Sequence, residues 1–384
     1  MTGKKNGYNS QHFSIKERKD KAMTTGKALD GKPYAGNPHV RFDEGEVASA
    51  ATPRRGSLLY KVLITGGCGF IGSHLCDLLL KGGHEVTALD DLSTGRFANV
   101  EHLDGNPKFH VVIDNVLNRE TVERLVRESD AVYHLASAVG VKLVIDEPVK
   151  TIETIVGGTS SVLSACRKYR RRVLVASTSE VYGKGVKVPF SEDDDRLMGA
   201  TSIRRWAYAN AKATDEFMSL AHYHETQLPV VVVRLFNTVG PRQTGQYGMV
   251  VPRFVKAALD GRPITVYDDG LQSRCFCHVH DVVQALEKIL LKTDKAFGQV
   301  VNIGNPAEVT ILDLAKTIKK QLKSKSEIRH IPYSEAYQDG GFEDMRRRVP
   351  SIAKAKKLIG FAPKKTLRDI IADVAKEFKA GQLV

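Results

Sequence analysis

From Leu58 onward the chain repeats one pattern, in which short apolar runs are broken by small or polar residues and followed by longer stretches with helical spacing. The runs Lys61–Thr65, Glu85–Leu89, Phe109–Ile113, Ala131–Ala138, Arg172–Ala176 and Val230–Leu235 are mostly apolar without strict alternation, so each predicts a buried strand. Between them, helical patterns follow Gly72, cover Thr121–Arg127 and Thr151–Tyr169, and run from Tyr208 to Glu225. Strands alternating with helices predict an α/β fold, a parallel sheet with helices on both faces. Beyond Gly240 the pattern is less regular. A helix is expected around Pro252–Leu259, a strand at Pro263–Tyr267, a helix starting at Val279–Val283, and shorter elements from Ile303 to the end.

The first strand breaks into Gly66-Gly67-Cys68-Gly69-Phe70-Ile71-Gly72, then resumes as a helix. Glycines at this spacing serve a sharp turn, a close approach of pyrophosphate to the backbone, and tight packing of helix on strand. The free N–H groups of the helix then face an anion. The second strand ends at Asp90-Asp91, where a carboxylate can hold the ribose diol of an adenine dinucleotide. A carboxylate there repels a 2′-phosphate, so NAD is favoured over NADP. The bland alternative is a turn aspartate before Ser93-Thr94-Gly95. Asp114-Asn115 ends the third strand in position to cover the adenine, and Leu135-Ala136 opens a small-residue loop with room for a cofactor. The expected fold is a Rossmann-type doubly wound sheet over 58–240, rejoined by 276–305, with a smaller C-terminal α/β lobe built from 241–275 and 306–384.

The fifth strand runs into Ser177-Thr178-Ser179-Glu180, a mass of polar residues at the end of a buried strand, where open α/β sheets bind ligands. Backbone hydrogen bonding is the ordinary use of such residues. Tyr208 and Lys212 lie one turn apart on one helix face, and of twelve tyrosines only Tyr208 has a lysine four residues on. An ammonium beside a phenol lowers the phenol pKa, making a base for a sugar hydroxyl. Arg253 and Arg274 are candidates for a diphosphate, because guanidinium forks match phosphate oxygens. His134, inside an apolar strand, reads as a packed histidine.

The 384 residues carry a net charge of +13, but residues 1–57 hold 11 Lys/Arg against 6 Asp/Glu, so part of that excess sits in a basic extension. That extension is polar, broken by Pro33, Pro38 and Pro53, and is expected to be disordered. The remaining charge suits a nucleotide ligand rather than nucleic acid. No run of about 18 apolar residues is present and no secretory signal is read, so no membrane association is expected. Five scattered cysteines suit a reducing, cytoplasmic setting. Cys275-x-Cys277 on a strand points its thiols to opposite faces, so no metal is expected.

Thr65–Gly72, Tyr208-x-x-x-Lys212 and Arg234-x-Phe236-Asn237-x-x-Gly240-Pro241-Arg242 together resemble the extended short-chain dehydrogenase/reductases that remodel nucleotide sugars, from about Tyr60 to the C-terminus. The resemblance implies that Tyr208 is the base for the C4 hydroxyl, that Lys212 holds Tyr208 and the nicotinamide ribose, and that Thr178 assists. It places Phe70 and Ile71 at the cofactor, and Ser179, Asn237, Arg253 and Arg274 at the nucleotide sugar. Ala176–Gly183 is similar to the UDP-glucuronate decarboxylases. The 4,6-dehydratases of the family carry Asp-Glu where this chain has Ser179-Glu180, and galactose-type 4-epimerases show a small residue or Thr at Glu180. Ile155, where an Asn is common, and Ser351, where an Asp often follows Arg-x-Pro, depart from the pattern. The implied reaction oxidises C4 of a UDP-sugar with bound NAD. Arg274 and Glu180 then serve decarboxylation of UDP-glucuronate, and a UDP-sugar 4-epimerase is the alternative. A non-catalytic NAD sensor is disfavoured by the intact Tyr208 and Lys212. The family usually pairs its long helices into a homodimer, here around Thr151–Tyr169 and Tyr208–Glu225.

Overall fold

The computed structural model describes residues 58–137, 147–245, 249–332, 335 and 345–381. The N-terminal extension therefore lies outside the described residues. The first half folds as β1 (Lys61–Thr65), α1 (Phe70–Lys81), β2 (Glu85–Asp90), β3 (Phe109–Ile113), α2 (Arg119–Arg127), β4 (Ala131–His134), α3 (Pro148–Tyr169) and β5 (Arg172–Thr178). It continues with α4 (Trp206–Thr226), β6 (Val230–Leu235), β7 (Thr238–Val239), α5 (Val250–Leu259), β8 (Ile264–Tyr267), β9 (Ser273–Cys275) and β10 (Cys277–His278). The rest comprises α6 (Val279–Leu291), β11 (Val300–Ile303), β12 (Glu308–Thr310), α7 (Ile311–Gln321), β13 (Ile328–Ile331), β14 (Arg347–Arg348), α8 (Ala353–Ile359) and α9 (Leu367–Lys379).

Seven strands form one parallel sheet in the order β11-β6-β5-β4-β1-β2-β3. Successive residues of each strand feed opposite faces, and the two cores follow from that alternation. Val62 and Ile64 of β1 join Leu174, Val231 and Val233 under α1 and α6, with Leu75, Leu79, Leu286 and Ile289. Leu63 faces the other way, with Val173, Val175 and Val230, and packs with Val122, Val162 and Leu163 of α2 and α3. The chain leaves β1 toward β2 and β3, then crosses to β4 on the other side. This reversal opens a crevice at the carboxyl ends of the strands.

A second lobe has its own core of Val251, Phe254, Val255, Ile264, Val266, Leu314, Ile318, Ile370 and Val374. Ala355 and Phe361, although late in the chain, pack instead with the α6 side of the main sheet. A three-stranded sheet joins the lobes, with β12 antiparallel and β14 parallel to β9, so that Arg348 pairs in register with Arg274. No described helix is long and apolar enough to cross a membrane.

Candidate active site

The glycine loop is held at both ends. Gly66 N donates to Leu89 O at 2.8 Å, Gly69 N to Gly66 O at 3.1 Å, and Ser73 N to Gly69 O at 3.0 Å. Gly66 has φ of +73°, and a methyl on Gly72 would stand 2.1 Å from Gly66 O. Only glycine lets α1 begin against the strand this closely. The first turn of α1 carries no acidic residue, and no side chain caps it. Its N–H groups and partial positive charge are left for an anion.

Asp90 lines the crevice beside this loop, 7 % exposed, and accepts from Cys68 N and Leu92 N, both at 2.9 Å. Burial pushes its carboxyl up, and the backbone N–H bonds pull against that. Its carboxylate therefore braces the loop as well as facing the crevice. Asp114 is occupied with the start of α2, accepting from Thr121 Oγ1, from Asn118 Nδ2 at 2.8 Å and from Asn115 N at 2.7 Å. Those bonds hold it below its usual range. Asn115 Nδ2 donates to Asp91 Oδ2 at 2.7 Å. Ala136 N donates to Thr65 Oγ1 at 3.3 Å, and Leu135 N to Thr65 O at 3.1 Å, bringing the end of β4 against the glycine loop.

One cavity of about 670 Å³ runs from the glycine loop to the second lobe, and every candidate side chain named from the sequence lines it. Thr178 ends β5, and its hydroxyl accepts from Glu180 N at 3.2 Å, capping a single helical turn at Ser179–Tyr182. Tyr208 stands partly buried in the first turn of α4. Burial is the largest influence on its phenol and pushes it up, the charge of Glu180 pushes the same way, and the hydroxyls of Thr178 and Ser137 draw it down. The expected lowering by Lys212 is not the dominant effect, because the Lys212 ammonium is committed to Asp215 Oδ2 at 2.8 Å. The sequence showed the i, i+4 spacing but not the competing carboxylate at i+3 of the lysine.

At the far end, Asn237 Nδ2 donates to Cys275 O at 3.2 Å. The Arg253 guanidinium donates to Tyr267 Oη at 3.0 Å and to Thr265 O at 3.1 Å, stacking 4.6 Å above the Tyr267 ring. Arg274 is fixed by bonds to Ser273 O at 2.7 Å and Met345 O at 2.9 Å. Two arginines that sequence reasoning left out of the site converge on Glu180. Arg348 donates to Glu180 Oε1 at 3.2 Å, and Arg205 approaches Glu180 Oε2 at 3.6 Å. Both are buried, at 6 % and 5 % exposed. The available signals were Arg205-Trp206-x-Tyr208 and the tail's Arg348-Val349-Pro350. Arg205, Arg348 and Glu180 thus gather charged groups beside Tyr208, where guanidinium forks match the oxygens of an anionic ligand.

The model of one family, described as GDP-mannose 4,6 dehydratase, matches residues 63–374. The chain belongs to that family, within the extended short-chain dehydrogenase/reductases. It is 43% identical over 304 residues to the UDP-N-acetyl-alpha-D-glucosaminuronate decarboxylase of Bacillus cytotoxicus, covering 79% of this chain and 92% of that one. It is 39% identical over 303 residues to UDP-glucuronic acid decarboxylase 1 of Danio rerio, covering 79% and 69%. Among solved structures it is similar to a UDP-glucuronic acid 4-epimerase from Bacillus cereus in complex with UDP-glucuronic acid and NAD. That match has a TM-score of 0.75 and 27% identity, and covers 83% of this chain and 99% of that one. The close approach of Gly72 to the Gly66 backbone, which sets α1 directly behind the loop, together with the uncapped start of α1, fits a bound dinucleotide.

Proposed function

We propose that this chain is an NAD-dependent decarboxylase of a UDP-uronate, with UDP-glucuronate or its 2-acetamido counterpart as substrate. The carrying observation is Glu180 held by Arg205 and Arg348 beside Tyr208, in a crevice that also holds Thr178, Asn237, Arg253 and Arg274. Gly66, Gly69, Phe70, Ile71, Gly72, Asp90, Asp114, Asn115, Leu135 and Ala136 would hold NAD. When bound, its nicotinamide supplies the oxidising equivalent at C4 and returns it at the end of the turnover.

Tyr208 takes the proton of the C4 hydroxyl, with the Thr178 hydroxyl orienting the phenol. Asn237 and Arg253 bind the nucleoside diphosphate, and Ser179 contacts the sugar. Once C4 is a ketone, the C6 carboxylate lies β to it. The C5–C6 bond breaks, carbon dioxide departs, and the electron pair remains as an enolate across C5 and C4. Arg274 and Glu180 orient the carboxylate and manage the proton that C5 receives. The guanidiniums of Arg205, Arg274 and Arg348 that line the crevice suit the carboxylate of an acidic sugar. A homodimer through α3 and α4 accords with exposed Val149, Ile152 and Phe217 on those helices. A cytoplasmic location accords with five buried, unpaired cysteines.

The test incubates purified protein separately with UDP-glucuronate, UDP-N-acetylglucosaminuronate and UDP-glucose, following products by mass spectrometry and proton NMR. Loss of carbon dioxide from either uronate is the expected result. An isomer of unchanged mass would overturn the decarboxylase reading in favour of a 4-epimerase, as in the Bacillus cereus structure. Tyr208→Phe is expected to abolish turnover while leaving NAD affinity in place, and undiminished turnover would refute the base assignment.

A further inference from the structure

Lys212 is only 2 % exposed, and its partner Asp215 is completely buried. A buried carboxylate facing a buried ammonium is costly to assemble, and removing either partner strands the other's charge. The pair is also tied to its surroundings. Burial raises the Asp215 carboxyl, while the Lys212 ammonium and the Thr159 hydroxyl of α3 favour its charged form. Thr159 Oγ1 lies 3.1 Å from His134 Nε2, and His134 Nδ1 lies 2.8 Å from Thr65 Oγ1 at the mouth of the glycine loop. This line of bonds runs from α3, through the ends of β4 and β1, to the cofactor cradle. His134 is kept neutral within it, its pKa pushed down to about 3 by burial and by the charge of Lys212.

We infer that Asp215 is a positioning residue of this active site, holding Lys212 as an ammonium at a fixed place in the crevice through their 2.8 Å ion pair. Lys212 lines the crevice, so the charge that Asp215 keeps in place is one the bound ligands meet. Glu216, next in sequence, does not share this task, because its carboxylate is taken by Arg234 at 2.8 Å. The inference rests on the reading of Lys212 as part of the active site, but not on which sugar is turned over.

The experiment acylates the full chain with an N-hydroxysuccinimide ester at pH 8 and follows each lysine by mass spectrometry. Only an amine with a free lone pair attacks the reagent, and Lys212 Nζ is engaged by Asp215 Oδ2 at 2.8 Å. In Asp215→Asn the shape is retained and the counter-charge is gone, so a buried ammonium is disfavoured. Acylation of Lys212 is expected to accelerate by about tenfold or more, while exposed lysines such as Lys295 keep their rates. An unchanged Lys212 rate in a variant that unfolds at the wild-type midpoint would overturn the inference. If Asp215→Asn does not fold, Thr159→Val decides. It removes the hydroxyl that favours the Asp215 charge and that also meets His134, and a Lys212 rate raised about threefold supports the inference, whereas an unchanged rate overturns it. No sugar substrate enters the assay, so its outcome is independent of the decarboxylase reading.

Discussion

Replacing Arg234 by leucine tests whether the end of β6 is held by charge. Arg234 and Glu216 are each 5 % exposed and joined by two bonds, Nε to Oε1 at 3.0 Å and Nη2 to Oε2 at 2.8 Å. Ser177 Oγ donates to the same carboxylate at 2.5 Å, and the guanidinium also donates to Glu192 O at 3.1 Å and lies 4.7 Å above the Tyr182 ring. Arg234→Leu leaves Glu216 with only the serine, a buried charge without a counter-ion, at about 3–5 kcal/mol. The bond to Glu192 adds about 1 kcal/mol. The total, about 4–6 kcal/mol, is a large part of an ordinary folding free energy. Urea unfolding followed by the fluorescence of Trp206, the only tryptophan and 1 % exposed, measures it. The double variant Arg234→Leu/Glu216→Leu removes both charges and is expected to recover to within about 2 kcal/mol of wild type. A single-variant loss below about 1 kcal/mol, or a double variant no better than the single, would refute the reasoning.

Two further outcomes follow from the geometry. Gly72→Ala puts a methyl 2.1 Å from Gly66 O and 2.9 Å from Gly67 Cα, contacts that no side-chain rotation relieves. NAD affinity by calorimetry is expected to fall about a hundredfold, with about 1–3 kcal/mol of stability lost, and an affinity within threefold of wild type would refute a close-contact cradle. His74, at about 4, and His134, at about 3, are both held below the ordinary 6.5 chiefly by burial. Between those values and 6.5 the unfolded state binds more protons than the folded one, so stability is complete above about pH 6.5 and declines as pH falls toward 4 and then 3. The loss from pH 7.5 to pH 5 is about 2 kcal/mol per histidine, and flat unfolding free energies over that interval would contradict it.

The alternation of Val62, Leu63 and Ile64 was enough to show a two-sided sheet, because a strand's side chains alternate whatever they later meet. Gly66–Gly72 likewise carried its own meaning, since the tight turn and the positive φ are local properties of the backbone. The helical spacing of Tyr208 and Lys212 held for the same reason. These readings depend only on neighbours within a turn or a strand.

Other features depended on distant parts of the chain meeting. Glu180 and Arg348 stand 168 residues apart and meet because β14 pairs with β9 across the mouth of the crevice. Asp114, expected to cover the adenine, lines the crevice and also accepts from Asn118, the N-cap of α2, and from Thr121. Asp215 took the ammonium from Tyr208 because both partners were buried together, where a charge must find its opposite nearby. The sequence by itself determined the elements, their buried faces and the glycine loop, which arise from short-range sterics and periodicity. The tertiary structure alone decided which charges face one another in the crevice, because electrostatic partnership depends on distance and desolvation, and neither exists until the lobes have packed.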